Sequence, residues 1–477
     1  MIKIYNSIFK DKKVFSPYIF HRIRIYVCGV TVYNFCHIGH AKMMISFDII
    51  QRWLIESGYI IEYVRNITNI DDKIIEKSLK SSRNIYEITI FYIKSMNLDE
   101  YFLGNLKLNH EPLVTSHIKD VINLIKKIKN VDLACRNLND DITYLTKKFK
   151  KYGKFSGKKM FKENFSNNIN KESNFVLWKF SKKNESFHTK WTSFYGLGRP
   201  GWHIECSAIN ESLLCLPLDI HGGGLDLKCN HHENEIAQSE PIFNKNLSKI
   251  WIHCGTLIIN KDKMSKSINN HRTIRELICS KIINVNFDYK ANKNESEILR
   301  FFFIKSSYKS NLNYNLRSLI NIKSLLDYLY KALTKYHFNK NLKKIDWFHY
   351  KVNIFFNAMN EDFNSSIAMK ILFKFAYNIN CNFCAKISYY YLKYLGNIFG
   401  ILQQSPYLYF IFYNRYSDSY LRKFFLNIEN IKYIAIKRKK LKKKNFFSIS
   451  DELRYDLKIN NVYLEDINIF ATYWRII

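Results

Sequence analysis

Residues 22–68 carry an order of patterns that few folds accommodate. "RIRIYVC" at 22–28 alternates and then runs apolar, as a buried strand does. A turn at Gly29–Asn34 follows, then a helix predicted from about 37 to 57 and stopped at Gly58. "YIIEYVRNIT" at 59–68 reads as a second strand. Strand, helix, strand in that order requires a crossover, and crossovers return to a parallel sheet with right-handed connections. The predicted class is therefore α/β with a Rossmann-like parallel sheet. Residues 111–195 break the rhythm with a polar helix, "SHIKDVINLIKKI", and a Lys/Asn-rich stretch at 147–174, read as an insertion. From 196 the order resumes, with "LPLDIHGGG" as a strand running into a glycine turn. After 315 the apolar spacing is helical, in "LRSLINIKSLLDYLYKAL" and "EDFNSSIAMKILFKFAYNI". The tail carries "IKRKKLKKK" and then a short amphipathic helix, "SISDELRYDLKIN".

At 477 residues the chain is too long for one core, and its 47% hydrophobic and 16% aromatic content makes it globular. The longest apolar run, "YLYFIFY" at 407–413, falls far short of the roughly 20 residues of a membrane span, and the N-terminal stretch has no apolar core of a signal peptide. A cytoplasmic protein is expected. The net charge of +33 points to a polyanionic partner, although a chain so rich in Lys, Asn and Ile owes part of it to composition. The ten cysteines are read as thiols or metal ligands rather than disulfides. Cys381 and Cys384 form a C-x-x-C inside helical apolar spacing and are expected in the core.

Three stretches carry chemistry. His37–Ile38–Gly39–His40 follows a strand and starts a helix, so both imidazoles share a face beside unsatisfied backbone N–H groups. Gly39 lets a ligand pass close to the backbone, and the whole suits a triphosphate. "KDKMSKS" at 261–267 sets Lys263 and Lys266 in a polar loop, suited to the transient charge of a departing pyrophosphate. In "HHENE", His231 and Glu235 are one helical turn apart, a metal-ligand spacing. With Cys206 from "GRPGWHIECSA" and Cys28 from the first strand they would complete a tetrahedral zinc site. His232 and Cys229 compete for the same role, and spacing excludes neither.

HIGH and KMSKS, in that order and about 220 residues apart, are the two signatures of class I aminoacyl-tRNA synthetases. "YVCGVTVYNFCHIGHA", "YVRNITNIDDKI", "NFVLWKFSK", "GRPGWHIECSA", "DIHGGG", "HHENEIAQS", "KMSKS" and "EDFNSS" together resemble the cysteinyl-tRNA synthetase family along the whole chain. The resemblance implies a zinc ion held by Cys28, Cys206, His231 and Glu235 that binds the substrate thiolate. It implies a cysteine pocket lined by Thr31, Thr68 and Trp202. His37, Gly39, His40 and Lys266 would serve ATP and its Mg2+, with Lys263 assisting. It implies two steps: L-cysteine attacks the α-phosphate of ATP, and the cysteinyl-adenylate then acylates the terminal ribose of tRNA(Cys). The implied organisation is a catalytic domain in two halves, 1–110 and 196–260, around a connective insertion at 111–195. A KMSKS and stem-contact region at 261–314, a helical bundle at 315–405 and an anticodon-binding domain at 406–477 would follow, in a monomer. Phe447 falls where the family places an aromatic, and Ile449 where it often has a basic residue. The sequence departs from the family at Asn34, Asn69, Asn230 and Ile268–Asn269–Asn270, and reads as a working enzyme that has drifted.

Three other readings compete. A relative that joins activated cysteine to an amino sugar would share the zinc and ATP motifs and need no tRNA-reading tail. A zinc-dependent nucleic-acid binder would use Cys28, Cys36, His37 and His40. A decayed synthetase would keep the fold without the activity.

Overall fold

The structure, a computed structural model, describes residues 1–153, 155, 174–182, 185–259, 262–263, 272–278, 293–336, 345–406 and 409–410. Of the remainder it describes 436, 438, 442, 447–448, 450–451, 454–455, 462–468 and 471–476. They form two compact units: Met1–Arg275 with Ser306–Tyr314 and Ala358–Asn364, and Glu276–Lys305 with Asn315–Asn357 and Ser365–Ile477.

The first unit is organised by a four-stranded parallel sheet. Its strands are β1 (Arg22–Val27), β2 (Ile60–Arg65), β3 (Leu218–Gly224) and β4 (Ser248–Cys254), in the spatial order β4–β3–β1–β2. Tyr26 is level with Val64 on one side and His221 on the other, so the C-terminal ends of β1, β2 and β3 come out together. Helix α1 (Ile38–Glu56) makes the crossover from β1 to β2. It is buried almost all round, which forces its polar residues to find partners. Lys42 is the clearest case. Its ammonium donates to the carbonyls of Gly255, at 2.7 Å, and Ser310. Burial lowers its pKa to about 8, so it is still charged at neutral pH and binds the segment after β4 to α1.

Between β2 and α2 (Ile204–Ile209) the chain builds a separate layer. Helix Ile118–Asn130 packs Val121, Leu124, Ile125 and Ile128 against Tyr144, Leu177 and Trp178 of an antiparallel sheet. That sheet runs Ala134–Arg136, Ile142–Tyr144, Phe175–Phe180, Gly198–Pro200. Its last strand leads straight into α2, which delivers Cys206. Helix α3 (Glu233–Phe243) then connects β3 to β4.

Two local expectations fail for identifiable reasons. Gly222, Gly223 and Gly224 are not a turn: they are the last residues of β3, paired in parallel with Ile252, His253 and Cys254. Glycine is required there by crowding. A Cβ on Gly222 would lie 2.3 Å from Phe47 Cζ, and one on Gly223 would lie 3.0 Å from the His232 ring. Cys381 and Cys384 are not in a core. In the second unit the helix Ser365–Asn380 stops, a turn follows with Asn382 at φ 58° and Cys384 at φ 45°, and helix Ala385–Ile398 begins. Asn tolerates positive φ, which breaks the helical pattern at its polar end and exposes both thiols. In the same unit the buried Glu297 accepts from the Tyr330 hydroxyl at 2.8 Å. Among the described residues no helix is long and apolar enough to cross a membrane.

The crowding at the β3 terminus is testable. Gly222→Ala is expected to lower stability by about 1–3 kcal/mol through overpacking. Adding Phe47→Leu is expected to restore part of that loss in urea unfolding. Simply additive losses would contradict the contact.

Candidate active site and metal centre

Cys28 is the residue at which β1 ends. Its amide donates to the Gly222 carbonyl at 3.0 Å, which fixes its side chain at the sheet's C-terminal edge. There it meets residues from two helices. Cys28 Sγ donates to Glu235 Oε1 at 3.1 Å, His231 Nε2 lies 3.3 Å from the same oxygen, and His231 Nε2 lies 3.4 Å from Cys206 Sγ. All four ligand atoms lie within 4.8 Å of one another, and all four residues are buried. A four-coordinate ion with bonds of about 2.0–2.3 Å needs ligands roughly 3.3–3.8 Å apart, and the observed separations suit it. The donors, two sulfurs, a nitrogen and a carboxylate, fit a borderline-soft cation.

The protonation states agree. Burial pushes the Cys28 thiol far up. Burial also opposes a Cys206 thiolate, yet hydrogen bonds from Cys28 and His231 outweigh it and bring Cys206 down to about 6. The pair therefore shares one thiolate. Burial works against His231 as a cation, and the Cys206 sulfur more than offsets it, so its pKa rises. Glu235 is held below the usual carboxylate range against its own burial, chiefly by His221.

A second set overlaps the first: Cys28, His221, His232 and Glu235. His221 Nε2 is 3.1 Å from Glu235 Oε2 and 4.0 Å from Cys28 Sγ. His232 Nδ1 is 2.8 Å from His253 Nε2, and burial depresses His232 well below the ordinary range, so it is neutral. Cys229 is exposed and belongs to neither set. Neither set contains Cys36, His37 or His40, which removes the ligands a finger-like site in 28–40 would need.

Around the cluster lies a polar brace. The Gly29 amide donates to Asn66 Oδ1 at 2.8 Å, and Cys206 Sγ lies 3.6 Å from the same oxygen. Asn66 Nδ2 donates to Thr68 Oγ1 at 3.2 Å, and Thr68 Oγ1 donates to Glu205 at 3.0 Å. Burial and the neighbouring Cys206 raise Glu205 well above the carboxylate range. Any Cβ on Gly29 would sit 1.6 Å from the Asn66 carbonyl oxygen, so only glycine fits between the two strand ends. Thr31 and Thr68 are bridged through their backbones, and the Trp202 ring, 42% exposed, lies 4.6 Å from the His231 ring. The motifs "VRNIT", "HIEC" and "DIHGGG" contained Asn66, Glu205 and His221, and reading them only for charge, ligands and turns missed the three.

His37 caps α1. Its Nδ1 accepts from the His40 amide at 3.2 Å, while His40 Nδ1 accepts from the His37 amide at 3.3 Å. The rings stack with centroids 3.6 Å apart. Each Nδ1 acts as acceptor, so the neutral rings carry their N–H on Nε2, a donor for an anion. The segment after the lysine-rich loop is pinned to this helix start: Ile38 donates to Arg272 at 3.1 Å and Ile274 to Cys36 at 2.9 Å. Arg275 Nε donates to Asp99 at 2.9 Å, and its guanidinium stands 4.7 Å over the Phe35 ring. Lys263 lies in the short strand Asp262–Lys263, whose side chains are outside the described residues, as are Lys266 and Asn269.

A parallel sheet with an N-capped helix start at its C-terminal edge and an inserted second layer is the architecture of a class I aminoacyl-tRNA synthetase, and the chain matches that class in sequence. Residues 14–324 match the family described as tRNA synthetases class I (C) catalytic domain, and 354–403 match the DALR domain. The fold resembles Mycobacterium tuberculosis methionyl-tRNA synthetase in complex with methionyl-adenylate, with a TM-score of 0.55 and 10% identity over 81% of this chain and 93% of that one. The cysteine–tRNA ligase of Bordetella avium is 41% identical over the full length of both chains, and that of Bordetella parapertussis 44% identical over 87% of each. The chain belongs to the cysteine–tRNA ligase family.

The cluster makes a metal prediction. Cys206→Ser and Glu235→Gln are each expected to weaken metal retention by more than ~100-fold, since loss of a direct ligand exceeds the effect of its supports. Cys229→Ser is expected to leave metal content unchanged in atomic emission analysis. Equal losses in all three would contradict the assignment.

Proposed function

We propose that the chain activates L-cysteine with ATP and transfers it to tRNA(Cys), with zinc held by Cys28, Cys206, His231 and Glu235. The convergence of those four buried side chains at one edge of a class I sheet carries this reading. Bound there, zinc would supply a soft Lewis-acid partner for the substrate thiolate, a partner that a serine hydroxyl satisfies poorly. Thr31, Thr68 and Trp202 close the amino-acid pocket, with Trp202 covering the His231 side. The substrate carboxylate is already a nucleophile, so activation calls on position and charge more than on proton transfer. His37 and His40 donate from Nε2 to the ATP phosphates, Gly39 admits the phosphates to the helix start, and Lys266 and Lys263 neutralise the departing pyrophosphate, with Mg2+ accompanying ATP.

The positive charge of the chain and its C-terminal region fit tRNA contact, with exposed Phe447 as a base-stacking residue of the region 406–477. The remaining domain divisions are those the family resemblance implies, in a cytoplasmic monomer. Similarity to cysteine–tRNA ligases over the full length of the chain favours tRNA over an amino sugar as acceptor.

Pyrophosphate exchange into ATP tests the reading. Cysteine is expected to support exchange and serine to fall short by on the order of 10⁴-fold, beyond the ~10²-fold an apolar pocket gives between near-isosteres. Charging of tRNA(Cys) should follow. Metal-replete protein with no cysteine-dependent exchange would refute the activity, and exchange without charging would point to the amino-sugar acceptor.

A further inference from the structure

The motif "EDFNSS" at 361–366 has no part in the activity proposed above, yet its second residue is the centre of a buried network in the first unit. Asp362 is 4% exposed and has φ 62°, and Phe363 after it has φ 52°. Asp tolerates that left-handed region, but a bulky Phe adopts it only where the surroundings impose it. The two residues turn the chain between helices Tyr350–Asn360 and Ser365–Asn380. Three donors converge on the Asp362 carboxylate. The Tyr5 amide, at 2.9 Å, and the Tyr308 hydroxyl, at 2.8 Å, both donate to Oδ1, and the Lys309 ammonium donates to Oδ2. The Asp362 amide in turn donates to the Lys3 carbonyl at 2.9 Å. A buried carboxylate with a cation opposite and both oxygens occupied is a fixed point for whatever carries its donors.

Tyr308 and Lys309 carry the base of the lysine-bearing hairpin. The Gly255 amide donates to the Tyr308 carbonyl at 2.9 Å. A Cβ on Gly255 would lie 2.3 Å from the Lys309 carbonyl oxygen, so the two backbones are in direct contact there. Lys42 of α1 spans the same place, donating to the Gly255 and Ser310 carbonyls. The Thr256 amide then donates to Asn311 Oδ1 at 2.9 Å, and the Leu312 amide to the Thr256 carbonyl at 3.0 Å. From that point the strand Leu257–Ile259 pairs in parallel with Leu312–Tyr314 and antiparallel with Asp262–Lys263, Ile258 opposite Lys263. One line of contacts therefore runs from Asp362 to the strand of Lys263, and a branch of it runs through Lys42 to α1.

We infer that Asp362 is a positioning residue for the phosphate side of the active site: by fixing Tyr308 and Lys309 it sets the strand that carries Lys263 and, through Lys42, the seat of that strand against α1. Asp362 acts through these neighbours and not on a substrate. The inference rests on the activity proposed above, in which Lys263 and the start of α1 serve ATP and pyrophosphate.

Pyrophosphate-exchange kinetics of the full-length, metal-replete protein test it. Asp362→Asn keeps the shape of the side chain and removes the charge that faces Lys309. Lys309→Met removes the same pair from the other side and serves if the first variant folds poorly. Glu361→Gln, on the exposed neighbour paired with Lys3 and Lys12, is the control. Asp362→Asn and Lys309→Met are each expected to raise KM for ATP and for pyrophosphate roughly 10-fold, inside the ~10²-fold that a remote misplacement can cost. KM for cysteine and the metal content should stay as in the parent, and Glu361→Gln should match it throughout. The double variant should be no worse than the more affected single one, because both remove one interaction. A lower kcat with every KM unchanged would make Asp362 a structural pin only and overturn the inference. Equal rises in all three KM values would overturn it as well. A parent protein without exchange would refute the activity, and calorimetry with a non-hydrolysable ATP analogue would then decide the inference: weaker binding by both variants supports it, and unchanged binding overturns it.

Discussion

Cys28 and Glu235 are separated by 207 positions, and their side chains meet at 3.1 Å with no solvent access. Everything around the site serves that meeting. It needs β1 beside β3 in parallel, so that Cys28 leaves the sheet level with the glycines of β3. It needs those glycines, because any side chain there would displace Phe47 or His232. It needs the π-helical turn Lys228–His232 to run straight into α3 at the same edge, which brings His231 of the turn beside Glu235 of the helix. It needs the inserted layer to end at Pro200, so that α2 brings Cys206 in from the other side. A buried carboxylate and two buried cysteines packed against imidazoles are unfavourable company without a cation, which is why the donor set reads as a binding site rather than a core.

Much of this was legible in the chain. The periodicities of 22–28 and 59–68 with the helix between them gave a parallel crossover, and the structure places Arg22–Val27, Ile38–Glu56 and Ile60–Arg65 there. The i, i+4 spacing of His231 and Glu235 was readable because the π-helical turn Lys228–His232 continues directly into α3, so the two stay close in space. What was not readable was proximity set by the third dimension. Asn66 looks like an ordinary polar residue in "VRNIT", yet it fastens Gly29 and touches Cys206. His221 looks like an ordinary strand residue before a glycine turn, yet its ring lies 3.1 Å from Glu235. Cys381 and Cys384 sit in apolar spacing that continues smoothly across a break, because the helix stops on the backbone preference of Asn382 rather than on hydrophobicity.

The two signatures of the active site are joined by backbone rather than by side chains. Cys28 and His37 are the two ends of one short irregular segment between β1 and α1, so the proposed thiol and phosphate sites are linked through nine residues of backbone. Lys42, two residues beyond His40, ties α1 to Gly255 and Ser310. The chain on the far side of the lysine-rich loop is tied back to the same helix start through Cys36 and Ile38. Both ends of that loop are thus anchored at α1 and the residues just before it, as the proposed phosphate-side role of the loop requires.

The central claim is that the thiol of the amino acid is recognised by a metal bound at Cys28, Cys206, His231 and Glu235. Cobalt exchanged into that site offers a direct reading, because a new sulfur ligand adds thiolate-to-metal charge transfer in the near ultraviolet. Cysteine added to the cobalt-loaded protein is expected to intensify that band, while serine at the same concentration leaves it unchanged. No spectral response to cysteine, or equal responses to both amino acids, would contradict the account.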